Sequence, residues 1–337
     1  MKRLWLVICL MALAAPSAFA ASCLTASSTT VAADPVYNEQ YTVEDYAPRT
    51  GIDAEGQVFS VENRAENGDK PLEVRDNGSG LCFSGGRYDT GDGDEAAWNS
   101  YHFGAAVYVT DSPGVTLEGL TIEQAGDGVA FAGGGSGADG WTLRGSYIRH
   151  AGDDAVSNDA KFSGLIDDVL VDWAYQGVSC RSDGGPVLTP PGTVSVQDSL
   201  IALKPQEGTY DPASPPGHLF VFKWDDEEPC ALRLSNAVFY MEDDNRVFDT
   251  PLDPRDFVLE CSNVTLVYAG EGRYTDQEGR LAALQEAFGP DCFTVLEGDE
   301  GLDFWRQRRT EWFYRHPEDA QISLYRSREP VGANGPP

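Results

Sequence analysis

Asp127, Asp153 and Asp154 are the residues of this 337-residue chain best spaced to do chemistry. Asp127 and Asp153 lie 26 residues apart, and Asp154 follows directly. If the chain returns to one place once per repeat, the first two become neighbours about 4.8 Å apart on parallel strands. Carboxylates held that close raise one another's pKa, so one can serve as an acid while another serves as a base. The same oxygens would suit a hard cation such as calcium. His150 and Arg181 fall where they could reach the same groove. Asn158, Asp159, Lys161 and Gln176 add polar groups, and Trp173 and Tyr175 add flat faces on which a sugar ring could pack. The mixture fits carbohydrate better than an apolar ligand. A plainer role is also open to Asp127 and Asp153, since Asp and Asn in turns bond their own backbone.

The elements that would position these residues are visible as a repeat. Leu117-Glu118-Gly119-Leu120-Thr121-Ile122 aligns with Leu143-Arg144-Gly145-Ser146-Tyr147-Ile148 and with Ile166-Asp167-Asp168-Val169-Leu170-Val171. Val196 to Ile201, Leu234 to Phe239 and Cys261 to Leu266 continue the set. Each unit reads apolar, any, Gly/Asp/Asn, any, any, apolar. First positions are 26, 23, 30, 38 and 27 residues apart. Seven residues into the units lie Gln124, His150 and Trp173; ten residues in lie Asp127, Asp153, Gln176, Gln206 and Asp244; fifteen in lie Asn158 and Arg181. A second apolar patch follows at Val129, Ala155-Val156, Val178 and Val247-Phe248.

Short apolar strands joined by Gly/Asp/Asn turns at this period predict an all-β chain, a right-handed parallel β-helix. One coil cannot bury its inner face alone; stacking coils makes a continuous core. Pro/Gly-rich insertions at 183–193 and 205–217 account for the two longest spacings and could wall the acid column. Further on, Thr275-Asp276-Gln277-Glu278 reads as a capping box with Thr275 as N-cap. Leu281, Leu284, Ala287 and Phe288 share a helical face, and Gly289-Pro290 ends it. A second aromatic segment, Phe304 to Phe313, predicts another helix. Both are expected to form a small helical cap over the last coil, with Trp305 and Trp312 in its core.

Residues 1–20 carry Lys2 and Arg3, an apolar run and the small-residue site Ala18-Phe19-Ala20, which is a Sec-type signal peptide cut after Ala20. Secretion or a periplasmic location follows. The expected organisation is a flexible leader over 21–35, the β-helix over 36–270, the cap over 271–326 and a disordered tail over 327–337. Outside the signal stand Cys23, Cys82, Cys180, Cys230, Cys261 and Cys292, an even set that predicts disulfides without choosing among 15 pairings. The formal net charge is −30, and losing the two basic residues of the signal leaves −32. That excludes nucleic acid as a partner and argues against anionic membrane. No later segment is apolar enough to span a membrane, and four histidines exclude a His-rich metal centre. A monomer is expected.

The segments AGDGVAF and AGDDAVSND resemble the paired Asp-Gly and Asp-Asp motifs of polygalacturonases and related glycosidases of the pectin-lyase fold, over roughly residues 105–205. The resemblance implies Asp127, Asp153 and Asp154 as the carboxylates, one protonating the leaving oxygen while others activate water, with inversion at the sugar. It also implies a His-Gly pair in the next coil, where this chain has Gln176-Gly177, and an Arg-x-Lys motif, for which Ala202-Leu203-Lys204 is the nearest match. The leading expectation is therefore a glycoside hydrolase acting on an extracellular polysaccharide. The rivals are a calcium-dependent polysaccharide lyase, with Arg181, Lys161 or His150 removing the proton, and a non-catalytic glycan-binding or cell-surface protein. The chain's acidity requires a neutral substrate, a calcium bridge or local attraction from Arg144, Arg149, Lys161 and Arg181.

Overall fold

The computed structural model describes residues 22–25, 28–31, 36–61, 70–89, 104–133, 137–182, 187–203, 219–224, 228–242, 245–270, 274 and 279–319. The expectations for 1–20, 205–217, Thr275–Glu278, Gln206, Asp244 and the 327–337 tail fall outside these residues.

The repeat is a single stack. Leu117 pairs in parallel with Leu143, Leu143 with Ile166, Ile166 with Val196, Val196 with Leu234 and Leu234 with Cys261. All six are buried. At the third position of each unit, Gly119, Gly145, Asp168, Asp198, Asn236 and Asn263 all have φ between 50° and 63°. That left-handed backbone is what Gly, Asn and Asp tolerate and other residues resist. The Gly/Asp/Asn signature thus marks the point where every coil turns out of one sheet and into the next.

These strands belong to a nine-stranded parallel sheet. A second path of ten strands runs alongside, from Val36–Tyr37 to Phe293–Glu297. A side branch adds the third face, in which Val129, Val156, Val178, Phe222 and Phe248 stack in register. Strands Tyr147–Asn158 and Leu170–Cys180 run unbroken round the corner between the second and third faces. The mostly β chain with long in-register parallel sheets is consistent with a parallel β-helix. One apolar cluster fills its interior, from Val31 to Phe293.

The stack is longer than the 36–270 expected. Thr29–Thr30 pairs with Ile52–Asp53, Ile52 with Phe83 and Phe83 with Leu117, so three earlier rungs precede the repeat. The segment expected as a flexible leader is tied down among its described residues by this pairing and by a Cys23–Cys82 disulfide. Phe293–Glu297 adds a last rung beside Val264–Tyr268. Cys180–Cys230 and Cys261–Cys292 complete three disulfides, using all six cysteines after residue 20 and fitting an oxidising compartment.

Two helices follow. Helix α1, Arg280–Phe288, starts after left-handed Gly279, buries Leu281 and Leu284 but not Ala287, and ends at Gly289. Helix α2, Gly298–Arg315, buries Trp305 and Trp312. It lies along the outer side of the second sheet, packed on Tyr147, Leu170, Leu200, Val238, Tyr240 and Val267, rather than across the end of the stack. Charge adds to this apolar contact. Its Arg309 grips Asp172, its Arg315 and the following His316 both reach Asp168, and Trp312 Nε1 donates to the Asp168 carbonyl. Among the described residues no helix is long and apolar enough to cross a membrane.

Candidate functional site

The three aspartates converge at the corner between the second and third faces. One carboxylate oxygen from each of Asp127, Asp153 and Asp154 lies within 4.8 Å of the other two. The side chains are deeply buried, at 8%, 4% and 0% exposure.

Their local order differs from the one expected. Before the corner, Ala125 pairs with Ala151 and Ala151 with Ala174. After it, Val129 pairs with Val156 and Val156 with Val178. The middle coil therefore spends one more residue on the corner than either neighbour, a bulge between Ala151 and Asp154. As a result Asp154, not Asp153, pairs with Gln176, and the Asp154 amide donates to Asp127 Oδ1 at 3.1 Å. Asp153 belongs to the bulge. Asn158 likewise pairs with Cys180 and not Arg181. The flanking Asp-Gly and Gln-Gly pairs have a packing cause. A Cβ on Gly128 would meet the Ala155 carbonyl oxygen at 2.4 Å, and one on Gly177 the Val221 carbonyl oxygen at 2.5 Å.

Two cations face the acids. Arg181 Nη2 is 3.2 Å from Asp154 Oδ2, as its sequence position anticipated. Lys223 Nζ is 3.8 Å from Asp153 Oδ1. Burial, then Asp154, Asp153 and Asp159, push the Asp127 carboxyl well above the usual range, against the lowering effect of the Asp154 amide. Burial and Asp154 push Asp153 up to about 7, opposed by Lys223 and Arg181. Neither Asp153 Oδ1 nor Asp154 Oδ1 accepts a hydrogen bond among the described residues. The corner thus holds a proton near neutral pH on carboxyl groups that would be ionised in water. Arg181 and Lys223 already supply two positive charges to three carboxylates, so the donor set does not fit a resident calcium ion.

The other expected residues divide. Asp159 stays close, accepting from Ser157 Oγ at 2.6 Å and acting on both Asp127 and Asp153. Gln176, placed where the resemblance implies His, is buried and accepts from the Phe220 amide at 2.7 Å, which spends its carbonyl on holding the next strand. Asn158 is buried and pins the following turn through Phe162, donating to its carbonyl and accepting from its amide. Lys161 donates to the Glu228 carbonyl at 2.9 Å. Tyr175 is buried against the core. Trp173 packs edge-on against Tyr240 beside the α2 cluster, on the outer side of the second sheet. Of these five, Gln176, Asn158, Lys161 and Tyr175 are buried and Trp173 lies on the α2 side, because spacing fixes a column but not the direction of a side chain. His150 stands with Gln124 and Trp173 in a corner column of left-handed residues, φ 54° to 71°, and is not one of the converging side chains.

Lys223 was not anticipated from sequence. Lys204, the lysine of the nearest Arg-x-Lys match, lies outside the described residues. Lys223 lies inside the longest spacing in the repeat, Val196 to Leu234, where counting from the first apolar position fails. Its strand, Phe220–Trp224, nonetheless reads as a polar residue between aromatics, Phe222-Lys223-Trp224. The 205–217 insertion expected to wall the site is likewise outside the described residues. In the other insertion, Leu188 and Gly192 bond back to Ala160 and Lys161.

No family model, curated protein or solved structure matches the chain.

Proposed function

We propose that the chain is a secreted, right-handed β-helical glycoside hydrolase acting on an extracellular polysaccharide, with the C-terminal helices shielding the stack. The observation that carries this reading is the buried convergence of Asp127, Asp153 and Asp154, faced by Arg181 and Lys223. Asp153 is the proton donor to the leaving oxygen, since a carboxyl pushed up to about 7 is protonated in a useful fraction at mildly acidic pH. Asp154, beside Arg181, is the carboxylate that orients water. Asp127 keeps its proton and limits charge in the cluster. Displacement by water oriented on Asp154 inverts the sugar, as the resemblance implies; the trio is tighter than the ~6.5–9.5 Å between carboxyl groups usual for that outcome, so the anomer of the first product is part of the test.

The test is release of new reducing ends from a panel of neutral and acidic polysaccharides. Asp153→Asn is expected to lose about 10²–10⁴-fold, as removal of a general acid does. Glu260→Gln, exposed on the first sheet, should lose nothing. An unsaturated, ultraviolet-absorbing product would select the lyase reading instead. Gln176 supports a second reading, a glycan-binding protein without catalysis, because a structural amide fills the position where a histidine would assist. Binding to a polysaccharide with no cleavage, unchanged in Asp153→Asn, would establish it.

A further inference from the structure

We infer that Lys223 is the positioning residue that holds the Asp153 carboxyl at the corner and sets the pH at which it releases its proton. Its catalytic meaning rests on the hydrolase reading above; its physical content does not.

The strand carrying Lys223 is not the neighbour of the strand carrying Asp153. Ser157 pairs with Ser179, and Ser179 with Lys223, so two rungs separate the coils. That is about 9.6 Å of backbone separation. Nζ still comes within 3.8 Å of Asp153 Oδ1. The lysine side chain therefore leans back across the intervening rung instead of running outward to water. It is only 19% exposed along the way. A long charged side chain normally keeps its head in solvent. Lys223 pairs in register with Asp249 on the following strand, and its Nζ nonetheless lies within ion-pair reach of the buried acid on the other side.

The charges at the corner are divided between two partners. Arg181 takes Asp154, at 3.2 Å. Lys223 takes Asp153, the residue the bulge adds to this coil. The groups acting on Asp153 are Asp154 and Asp159 on one side, and Lys223 and Arg181 on the other. Asp127 is in the same cluster. Without Lys223, Asp153 faces the acids with only the arginine already paired to its neighbour. Ionisation then becomes harder, and the carboxyl keeps its proton to higher pH.

The experiment is a titration of full-length mature protein labelled with ¹³C at aspartate Cγ, followed by NMR, with Asp153→Asn identifying the resonance. Lys223→Met should raise the Asp153 midpoint by about one pH unit or more, a tenfold change in proton affinity. Lys223→Arg should return it to within a few tenths of wild type. Lys223→Gln serves if the methionine variant does not fold, with circular dichroism and thermal midpoint as the check. An unchanged midpoint in a folded Lys223→Met or Lys223→Gln variant overturns the proposal. In the polysaccharide assay the upper limb of the kcat/KM–pH profile, which like the titration reports the free enzyme, should move by the same amount. A moved NMR midpoint in a protein that cleaves nothing would uphold the lysine's role and reject the hydrolase reading, so the two failures are distinct.

Discussion

Two corners of the same coil behave differently. The turn at Gly119, Gly145, Asp168, Asp198, Asn236 and Asn263 repeats one backbone conformation in six successive coils. The corner that carries Asp127, Asp153–Asp154 and Gln176 does not; its middle coil has an extra residue. At the first corner side-chain identity follows from φ, and Gly, Asp and Asn exchange freely. At the second, identity does not follow from backbone need. Gly128 and Gly177 are forced by a close carbonyl, but nothing in the turn requires two consecutive buried carboxyl groups. A stack that adds a residue and then buries an acid on it is keeping that acid for something other than the turn.

The comparison breaks most clearly if one residue is removed from each corner. Deleting Asn236 should cost about 3 kcal/mol or more, or abolish folding. It removes the left-handed link between Leu234 and Val238, and a one-residue slip turns inward-facing side chains outward. Deleting Asp153 should cost only about 1 kcal/mol. It leaves the middle coil as long as its neighbours and takes away a buried acid that is expensive to ionise. Urea unfolding of both variants decides this. Equal losses would mean that the bulge is structural after all.

Much of this was legible in the sequence. The aligned units gave every first-sheet pair from Leu117 to Cys261, because period and pattern are what stacking imposes. The convergence of the three acids followed from the same count. The bulge was countable too: four steps separate Ala125 from Val129 and Ala174 from Val178, but five separate Ala151 from Val156. What a count cannot supply is direction. Trp173 turned toward Tyr240, and Asn158, Lys161 and Gln176 turned to backbone groups 4, 67 and 44 residues away. The rungs at Ile52 and Phe83 fell inside the expected 36–270 without being aligned, because Ile52, Phe83 and Leu117 are 31 and 34 residues apart, outside the clean part of the repeat; only the Thr29–Thr30 rung lay before those bounds. The path of α2 was missed because it depends on Asp168 and Asp172, distant in sequence and ordinary in type.

The expectation that most sharpens the contrast lies in pH. Asp153 stands at about 7 in the folded chain against an ordinary 3.8, so folding takes up a proton between those values. Its contribution to stability is fully present below about 4 and is lost as pH rises through about 7. Asp127 acts in the same direction. So does Asp319, pushed up to about 7 by burial, in the segment beyond α2 where Thr121 Oγ1 donates to it. Asp168 in the regular turn runs the other way. Its burial is outweighed by hydrogen bonds from His316 and Arg315, so its contribution is present above about 4 and lost in acid. Between pH 4.5 and 7.5 the urea midpoint should therefore fall, driven by the acid corner and the C-terminal segment but not by the turn. Asp153→Asn and Asp319→Asn should each flatten part of that slope, and the double variant more than either alone. Asp168→Asn should leave the slope in this window as it is, and should instead remove the loss of stability seen below about pH 4. A slope indifferent to Asp153→Asn would mean the bulged acid ionises as freely as one in water, and the distinction between the two corners would go with it.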